Sequence, residues 1–360
     1  MILSSKNNAS MRKFFLKILV VSLVFSYIFA VFTPLFPIPI AKAENGYVEG
    51  RAECVMELNS RRVLYEKCGD TRLPMASTTK ILTAITVLER YENIEKEIII
   101  PEQAVGVEGS SVYLKKDEKY TIKDLLYGLM LRSGNDCAVA LAVDCAGNEQ
   151  QFSAEMNKTA QKAGALNSNF LNPHGLPCEG HFTTAHDLNL IACYAMHNTK
   201  FREIVSTRYY QPKNWTNKNK ILQLCEGGIG IKTGYTKQAG RCLVSAIERN
   251  GMTLVSTVLN CPTTYERSCM LLEDAFSQYS YEKLLDAGTP ITVKTDKTEL
   301  QAITKRDYFY PLLLEEKELV EIRVVPSENC SNRAKKDEII GQFELYLSKQ
   351  LLFSGNLYKL

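Results

Sequence analysis

The apolar pattern of this chain changes period twice, and that double change restricts the fold more than any other feature. Near the start it alternates: Ala52, Cys54 and Met56 recur at every second position, Asn59-Ser60 makes a turn, and Val63-Leu64-Tyr65 resumes, as in a β-hairpin. The period then becomes helical. Ile81, Leu82, Ile85 and Leu88 share one face, widened by Ala84 and Val87. Thr121 with Asp124 has the form of a capping box and opens a helix over 121–131. A third helix starts after Asn135 and stops at Gly147, and Thr184 with Asp187 opens another. From Gly227 the strands return, over 228–234, 242–247 and 252–259. The last two are joined by Asn250-Gly251, a strong hairpin signal. A helix is expected over about 265–285. Strands at both ends of a region with helices between them predict an α+β domain built on one antiparallel sheet.

Near Asp286-Ala287-Gly288-Thr289-Pro290 the composition shifts, and short alternating runs follow at 291–293, 320–325 and 343–347. They predict a small β-rich domain. The expected organisation is therefore a targeting segment over 1–43, a main domain over 44–288 and a β-rich domain over 289–360. With 43 basic and 40 acidic residues the net charge is only +3, and no block of like charge stands out, so nothing points to nucleic acid.

Arg12, Lys13 and Lys17 precede an apolar run over 18–32, prolines follow at 34, 37 and 39, and Ala41-Lys42-Ala43 offers a small-x-small cleavage site. The run is short for a membrane span, which needs about 20 residues. An exported chain cut near Ala43 is the expectation, with a retained membrane helix as the alternative. The eleven cysteines are odd in number, irregularly spaced and free of Cys-x-x-Cys pairs, so no metal or redox motif is expected. Cys137, Cys145, Cys193 and Cys242 sit within apolar patterns, as core thiols do.

Three short signatures fall on these elements in order: Ser77-Thr78-Thr79-Lys80 at a helix start, Ser133-Gly134-Asn135 in the link between two buried helices, and Lys232-Thr233-Gly234 on a strand. Ser77 and Lys80, three apart on a helix, share a face. A serine hydroxyl becomes a good nucleophile when a neighbour takes its proton. A lysine can do so once burial and the positive end of a helix disfavour its ammonium form. Ser133 adds a second hydroxyl and Asn135 an amide. Lys232 and Thr233 offer a cation and a hydroxyl beside Gly234, where a substrate strand could come close to a backbone without a side chain. Each signature alone is ordinary: an N-cap serine, a Ser-Gly-Asn turn, a lysine on an edge strand. Their order, each in a fitting context, points to nucleophilic acyl transfer.

With these motifs, and with Met75-Ala76 before Ser77, Asp136 after Asn135, Asn172-Pro173-His174-Gly175-Leu176, Gly180-His181-Phe182-Thr183-Thr184-Ala185 and Tyr235-Thr236 after Gly234, the chain resembles the serine D-alanyl-D-alanine carboxypeptidases of peptidase family S11, the low-molecular-mass penicillin-binding proteins. The resemblance implies a penicillin-binding, transpeptidase-like α+β fold followed by the family's β-rich domain. It implies a hydrolase of peptidoglycan stem pentapeptides, active in cell-wall remodelling outside the cytoplasm. Ser77 would be the acylated nucleophile, Lys80 its base, Ser133 a proton relay, and Asn135 an orienting group for the lysine and the substrate amide. The N–H groups of Ser77 and Tyr235 would hold the oxyanion. Lys232, Thr233, Gly234 and Arg267 would bind substrate, Arg267 standing at the family's arginine position. β-Lactams would acylate Ser77, no metal or cofactor is required, and His174 and His181 are expected to structure loops. Family members often end in an amphipathic membrane-binding helix. The chain ends at Asn356-Leu357-Tyr358-Lys359-Leu360 without one, which leaves peripheral membrane association to the N-terminal segment or lost.

Two other readings use the same residues. A class A β-lactamase shares the three motifs, but it commonly has Ser-Asp-Asn in the second and needs a deacylating glutamate, for which no Glu-x-x-Leu-Asn segment is found between the second and third motifs. A penicillin-sensing or wall-binding module would acylate and stop.

Overall fold

The computed structural model describes residues 48–360. The expected cleavage site at Ala43 lies outside the described residues. Along the chain come strands β1 (Ala52–Glu57) and β2 (Val63–Lys67), a 3-10 turn (Ala76–Thr79) and helix α1 (Lys80–Arg90). A two-stranded ribbon of β3 (Glu97–Ile99) and β4 (Lys119–Thr121) leads to α2 (Ile122–Tyr127), a π-turn (Gly128–Arg132), α3 (Asn135–Ala146) and α4 (Glu149–Ala163). Then follow α5 (Ala185–Met196), α6 (Thr199–Ser206), the short ribbon β5 (Tyr209–Tyr210) and β6 (Trp215–Thr216), and α7 (Ile221–Leu224). Strands β7 (Gly228–Thr236), β8 (Gly240–Arg249) and β9 (Met252–Leu259) and helix α8 (Thr264–Gln278) complete the main domain.

The central sheet has the order β2-β1-β9-β8-β7, antiparallel throughout. Strands from the two ends of the region meet in its middle, with Ala52 opposite Leu259 and Glu57 opposite Leu254. The alternation in β1 suggests one buried face, yet all six of its residues are buried. Two apolar layers explain this. Ala52, Cys54 and Met56 pack toward α1, α3 and α5, while Val55 packs with Leu243, Ile247 and Val258 against Leu271 and Leu272 of α8. Strand β7 is left at one edge, with a β-partner on one side only.

The capping residues behave as their sequence suggests. Thr121 Oγ1 accepts from Asp124 N at 3.0 Å and Thr184 Oγ1 from Asp187 N at 3.0 Å. The helix expected over 121–131 is interrupted, however. Its second half is the π-turn, and it ends with Ser133 in the left-handed region at φ 64°. The helix expected to reach residue 285 stops at Gln278. Residues Ser280–Leu285 form strand β10 instead, paired with β13 (Tyr308–Leu312), and Tyr281 stacks on Phe309 at 5.3 Å between ring centroids. A long-range partner overrides the local helical pattern, and by strand pairing the β-rich part begins at Ser280 rather than at 289.

That domain holds β11 (Ile291–Lys294), β12 (Glu299–Ile303), β14 (Val320–Pro326), β15 (Ile339–Leu347) and β16 (Gln350–Lys359) in the order β11-β12-β16-β15-β14. Its core includes Val293, Ala302, Ile340, Phe343 and Leu357. Arg62, in the β1–β2 hairpin, fixes the junction. It donates to Pro311 O at 2.7 Å and to both oxygens of Glu316 at 2.8 and 2.6 Å, between the rings of Tyr279 and Tyr310.

Seven of the free cysteines are buried, including the four expected in the core, and Cys68 and Cys178 are exposed. Cys225 and Cys269 form a disulfide that ties the end of α7 to α8 across a sequence separation of 44, a pairing that the spacing alone does not reveal.

Candidate active site

Ser77 sits on the 3-10 turn that leads into α1, and Lys80 is the first residue of that helix. Helix α1 is central to the helical layer and is buried from Lys80 to Leu88; the exposure of the lysine is 0%. Its Nζ lies 2.9 Å from Ser77 Oγ, 2.7 Å from Asn135 Oδ1 and 2.6 Å from His174 O. The amide and peptide oxygens can only accept, whereas the serine hydroxyl can also donate. A neutral amine matches this set, with two N–H bonds for the two obligate acceptors and a lone pair for the Ser77 proton. Burial, followed by the positive charge of Lys232, pulls the Lys80 ammonium well below its ordinary range.

The second signature enters from the end of the π-turn. Asn135 uses both ends of its amide within the protein: Oδ1 holds Lys80, and Nδ2 donates to Glu108 O at 2.5 Å. Ser133 Oγ faces the third signature, 3.0 Å from Lys232 Nζ, which also donates to Thr233 O at 2.9 Å. Burial, then Lys218, lowers the Lys232 ammonium to about 7. All three signatures thus converge, Ser77 with Lys80 and Asn135 on one side and Ser133 with Lys232 on the other. Ser77, Ser133, Thr233 and Tyr235 open on one cleft of about 540 Å³.

Gly234 lines the cleft and also makes a contact that the sequence does not suggest. A Cβ there would lie 2.9 Å from Met75 O and 3.0 Å from Ser77 N. The backbone that comes close to this glycine is the nucleophile's own turn, which the free edge of β7 supports. Below that turn runs the segment 172–176. Gly175, at φ +90°, would place a Cβ 2.0 Å from Ala76 O, and the next residue back, His174, supplies the carbonyl for Lys80.

Both histidines hold loops. Burial lowers the His181 imidazole to about 4, so it is neutral at pH 7. Its Nδ1 accepts from Leu171 N at 3.0 Å, which leaves Nε2–H to donate to Thr79 Oγ1 at 3.1 Å. His174 Nδ1 accepts from Leu176 N at 3.1 Å. Asp136, beside Asn135, has a role that the sequence does not signal. Asp136 is buried and takes Ser111 Oγ at 2.5 Å, Val112 N at 3.0 Å and Leu114 N at 3.1 Å, pinning the loop that carries Ser110 to the cleft.

Arg267 is the one expected site residue that the structure takes away. Its guanidinium does not line the cleft. It forms a bidentate pair with buried Glu53 of β1, at 2.8 and 2.6 Å, and also donates to Tyr65 OH at 3.1 Å. Glu53 needs a cation because it is fully buried in the central sheet. The basic residues that do line the cleft are Lys218, Lys220 and Arg241. Arg267→Met would leave the Glu53 carboxylate uncompensated, at a cost of about 3–5 kcal/mol in stability. Urea unfolding is expected to show that loss, with KM for a D-alanyl-D-alanine peptide nearly unchanged in the folded enzyme. A large rise in KM at unchanged stability would return Arg267 to the substrate.

Comparison with known proteins agrees with this geometry. Residues 40–263 match the family model described as D-alanyl-D-alanine carboxypeptidase, peptidase S11, and residues 279–360 match the C-terminal domain of penicillin-binding protein 5. The chain belongs to the S11 D-alanyl-D-alanine carboxypeptidases. It is 28% identical over 323 residues to D-alanyl-D-alanine carboxypeptidase DacF of Bacillus subtilis, covering 84% of this chain and 83% of that protein. It is 30% identical over 328 residues to DacA of Haemophilus influenzae, covering 84% and 82%. The crystal structure of penicillin-binding protein 5 from Haemophilus influenzae superposes with a TM-score of 0.72 at 28% identity, over 87% of this chain and 97% of that one. The chain is therefore a penicillin-binding serine hydrolase of the D-alanyl-D-alanine carboxypeptidase class, with the α+β fold and β-rich tail expected of it. Among the described residues, no helix of this carboxypeptidase is long and apolar enough to cross a membrane, and no cluster of metal-ligating side chains occurs.

Proposed function

We propose that this carboxypeptidase removes the terminal D-alanine from peptidoglycan stem peptides through an acyl-enzyme on Ser77. The observation that carries the reading is the buried Lys80 amine, held between two obligate acceptors with its third contact on Ser77 Oγ. Ser77 Oγ attacks the carbonyl carbon between the two D-alanines while its proton passes to Lys80 Nζ. The N–H groups of Ser77 and Tyr235 hold the oxyanion. The C–N bond breaks, and D-alanine leaves with a proton delivered through Lys80 and Ser133, the latter poised by Lys232. Water, giving its proton back to the same network, then cleaves the ester and restores Ser77. Asn135 keeps Lys80 in place throughout. Thr233 and Lys218, which share the cleft, take the substrate's terminal carboxylate. Penicillin enters the same path and stops at the ester. The enzyme works on the outer face of the cell envelope in wall remodelling, reached by export and cleavage after Ala43.

The test is D-alanine release from diacetyl-Lys-D-Ala-D-Ala by the purified protein, together with peptide mapping of the penicillin adduct. Catalytic release and an adduct on the peptide containing Ser77 are the expected results. An adduct on another residue, or labelling without release, would reject the mechanism.

A further inference from the structure

The cleft carries more positive charge than one terminal carboxylate needs. Its lining includes Lys218, Lys220 and Arg241 but a single carboxylate, Glu266. By contrast Arg249, on the same strand as Arg241, holds Glu273, and Arg202 holds Glu248. Among the described residues, none of the three cleft cations has a carboxylate within ion-pair distance, although the fold had Glu266 at hand. Burial, and then the charge of Arg132 beside Ser133, disfavours the Lys218 ammonium. Like charges left unneutralised in one cleft raise its potential and attract anions.

The cations are also positioned. Arg241 lies opposite Tyr235 in the β7–β8 register, and its guanidinium stands 6.0 Å over that ring, which is 65% exposed. Lys220 is held from its backbone, where N–H donates to Tyr265 OH at 3.2 Å, and the same hydroxyl lies 3.4 Å from Lys218 O. The Cys225–Cys269 disulfide joins the two segments that carry these groups. One wall of the cleft is thus a braced cationic surface facing the Ser77 turn.

We propose that Lys220 and Arg241 form a second carboxylate subsite, which selects D-alanyl-D-alanine peptides carrying a further carboxylate on a side chain upstream of the scissile bond. This rests on the carboxypeptidase reading above, in which Thr233 and Lys218 hold the terminal carboxylate. Two probes separate the ideas. One is diacetyl-Lys-D-Ala-D-Ala. The other is the same peptide with 2-aminopimelate for lysine, so that a carboxylate ends a side chain of similar length. At about 10 mM salt the anionic peptide is expected to show kcat/KM about tenfold higher, falling toward twofold near 0.5 M as screening shortens the reach of the charges. In Lys220→Gln/Arg241→Gln the ratio between the peptides, which is independent of the amount of folded enzyme, is expected to collapse toward one. Protection of Ser77 from fluorescent penicillin by each peptide gives a second readout that needs no turnover. A ratio within twofold at low salt in both assays, or a ratio unchanged in the double variant, overturns the subsite. Equal turnover of both peptides removes the subsite and leaves the carboxypeptidase standing. Selective protection without D-alanine release does the reverse.

Discussion

Lys80→Met is expected to lower D-alanine release and penicillin acylation by at least about 10⁴-fold, as Ser77→Ala does, because the two residues act as one unit. Methionine fills the volume but offers no lone pair to the Ser77 proton. The variant folds, since α1 buries eight further residues beside Lys80 in the helical layer. A hydrophobic side chain also removes the cost of burying an amine, which offsets the donors lost to Asn135 Oδ1 and His174 O. The pH dependence checks the assignment from the other side. The folded state holds Lys80 well below its ordinary value and Lys232 at about 7, so the unfolded chain binds more protons between there and the ordinary 10.5. Stability from these groups is complete above that upper value and is lost as pH falls toward about 7. Wild-type unfolding free energy is expected to rise with pH across this window, and Lys80→Met to flatten the rise. Acylation follows the same direction, because only neutral Lys80 accepts a proton. Retained acylation in Lys80→Met would remove the lysine from the proton path and leave Ser77 with some other base.

Gly175→Ala is expected to be the most damaging single-methyl change near the site. At φ +90° any side chain is strained, and the added Cβ would meet the Ala76 carbonyl at 2.0 Å and Thr79 Oγ1 at 2.9 Å. Backbone cannot give way as a flexible side chain can. Strain and overpacking together come to about 3–5 kcal/mol. The displaced segments are the Ser77 turn and the His174 carbonyl that holds Lys80, so activity is expected to fall about 100-fold even in the fraction that folds. Gly106→Ala is the control: φ is +70°, but nothing lies within 4 Å, and only the backbone strain of about 1 kcal/mol remains. Denaturant unfolding of both variants, read with D-alanine release, separates the two. Equal effects would mean that backbone strain alone matters and that the close approach to Ala76 is relieved at no cost.

The site was legible in the sequence to the extent that its chemistry is carried by neighbours in the chain. Ser77 and Lys80 meet because three residues of helical rise bring them together. The Thr121 and Thr184 caps are equally local, as is the Asn250-Gly251 turn, where both residues take positive φ, 49° and 80°. What the sequence misjudged depends on partners far away. Residues 280–285 carry a pattern that continues α8, and they become a strand only because β13 is there to pair with them. Arg267 stands where a substrate-binding arginine is expected, yet the buried Glu53, 214 positions away, claims it. Gly234 lines the cleft, and only the fold reveals that the Ser77 turn also packs against its bare backbone.

The sequence by itself determined the class of this protein: two periods of apolar patterning, with three reactive signatures placed on a helix start, a helix link and a strand. Tertiary structure alone decided the state of those groups. Burial of α1 holds Lys80 well below its ordinary range, Ser133 faces Lys232 across 99 positions, and the cleft is cationic because the Lys218–Lys220 segment meets Arg241 of β8. Desolvation and charge act through space, and a sequence records only order along the chain.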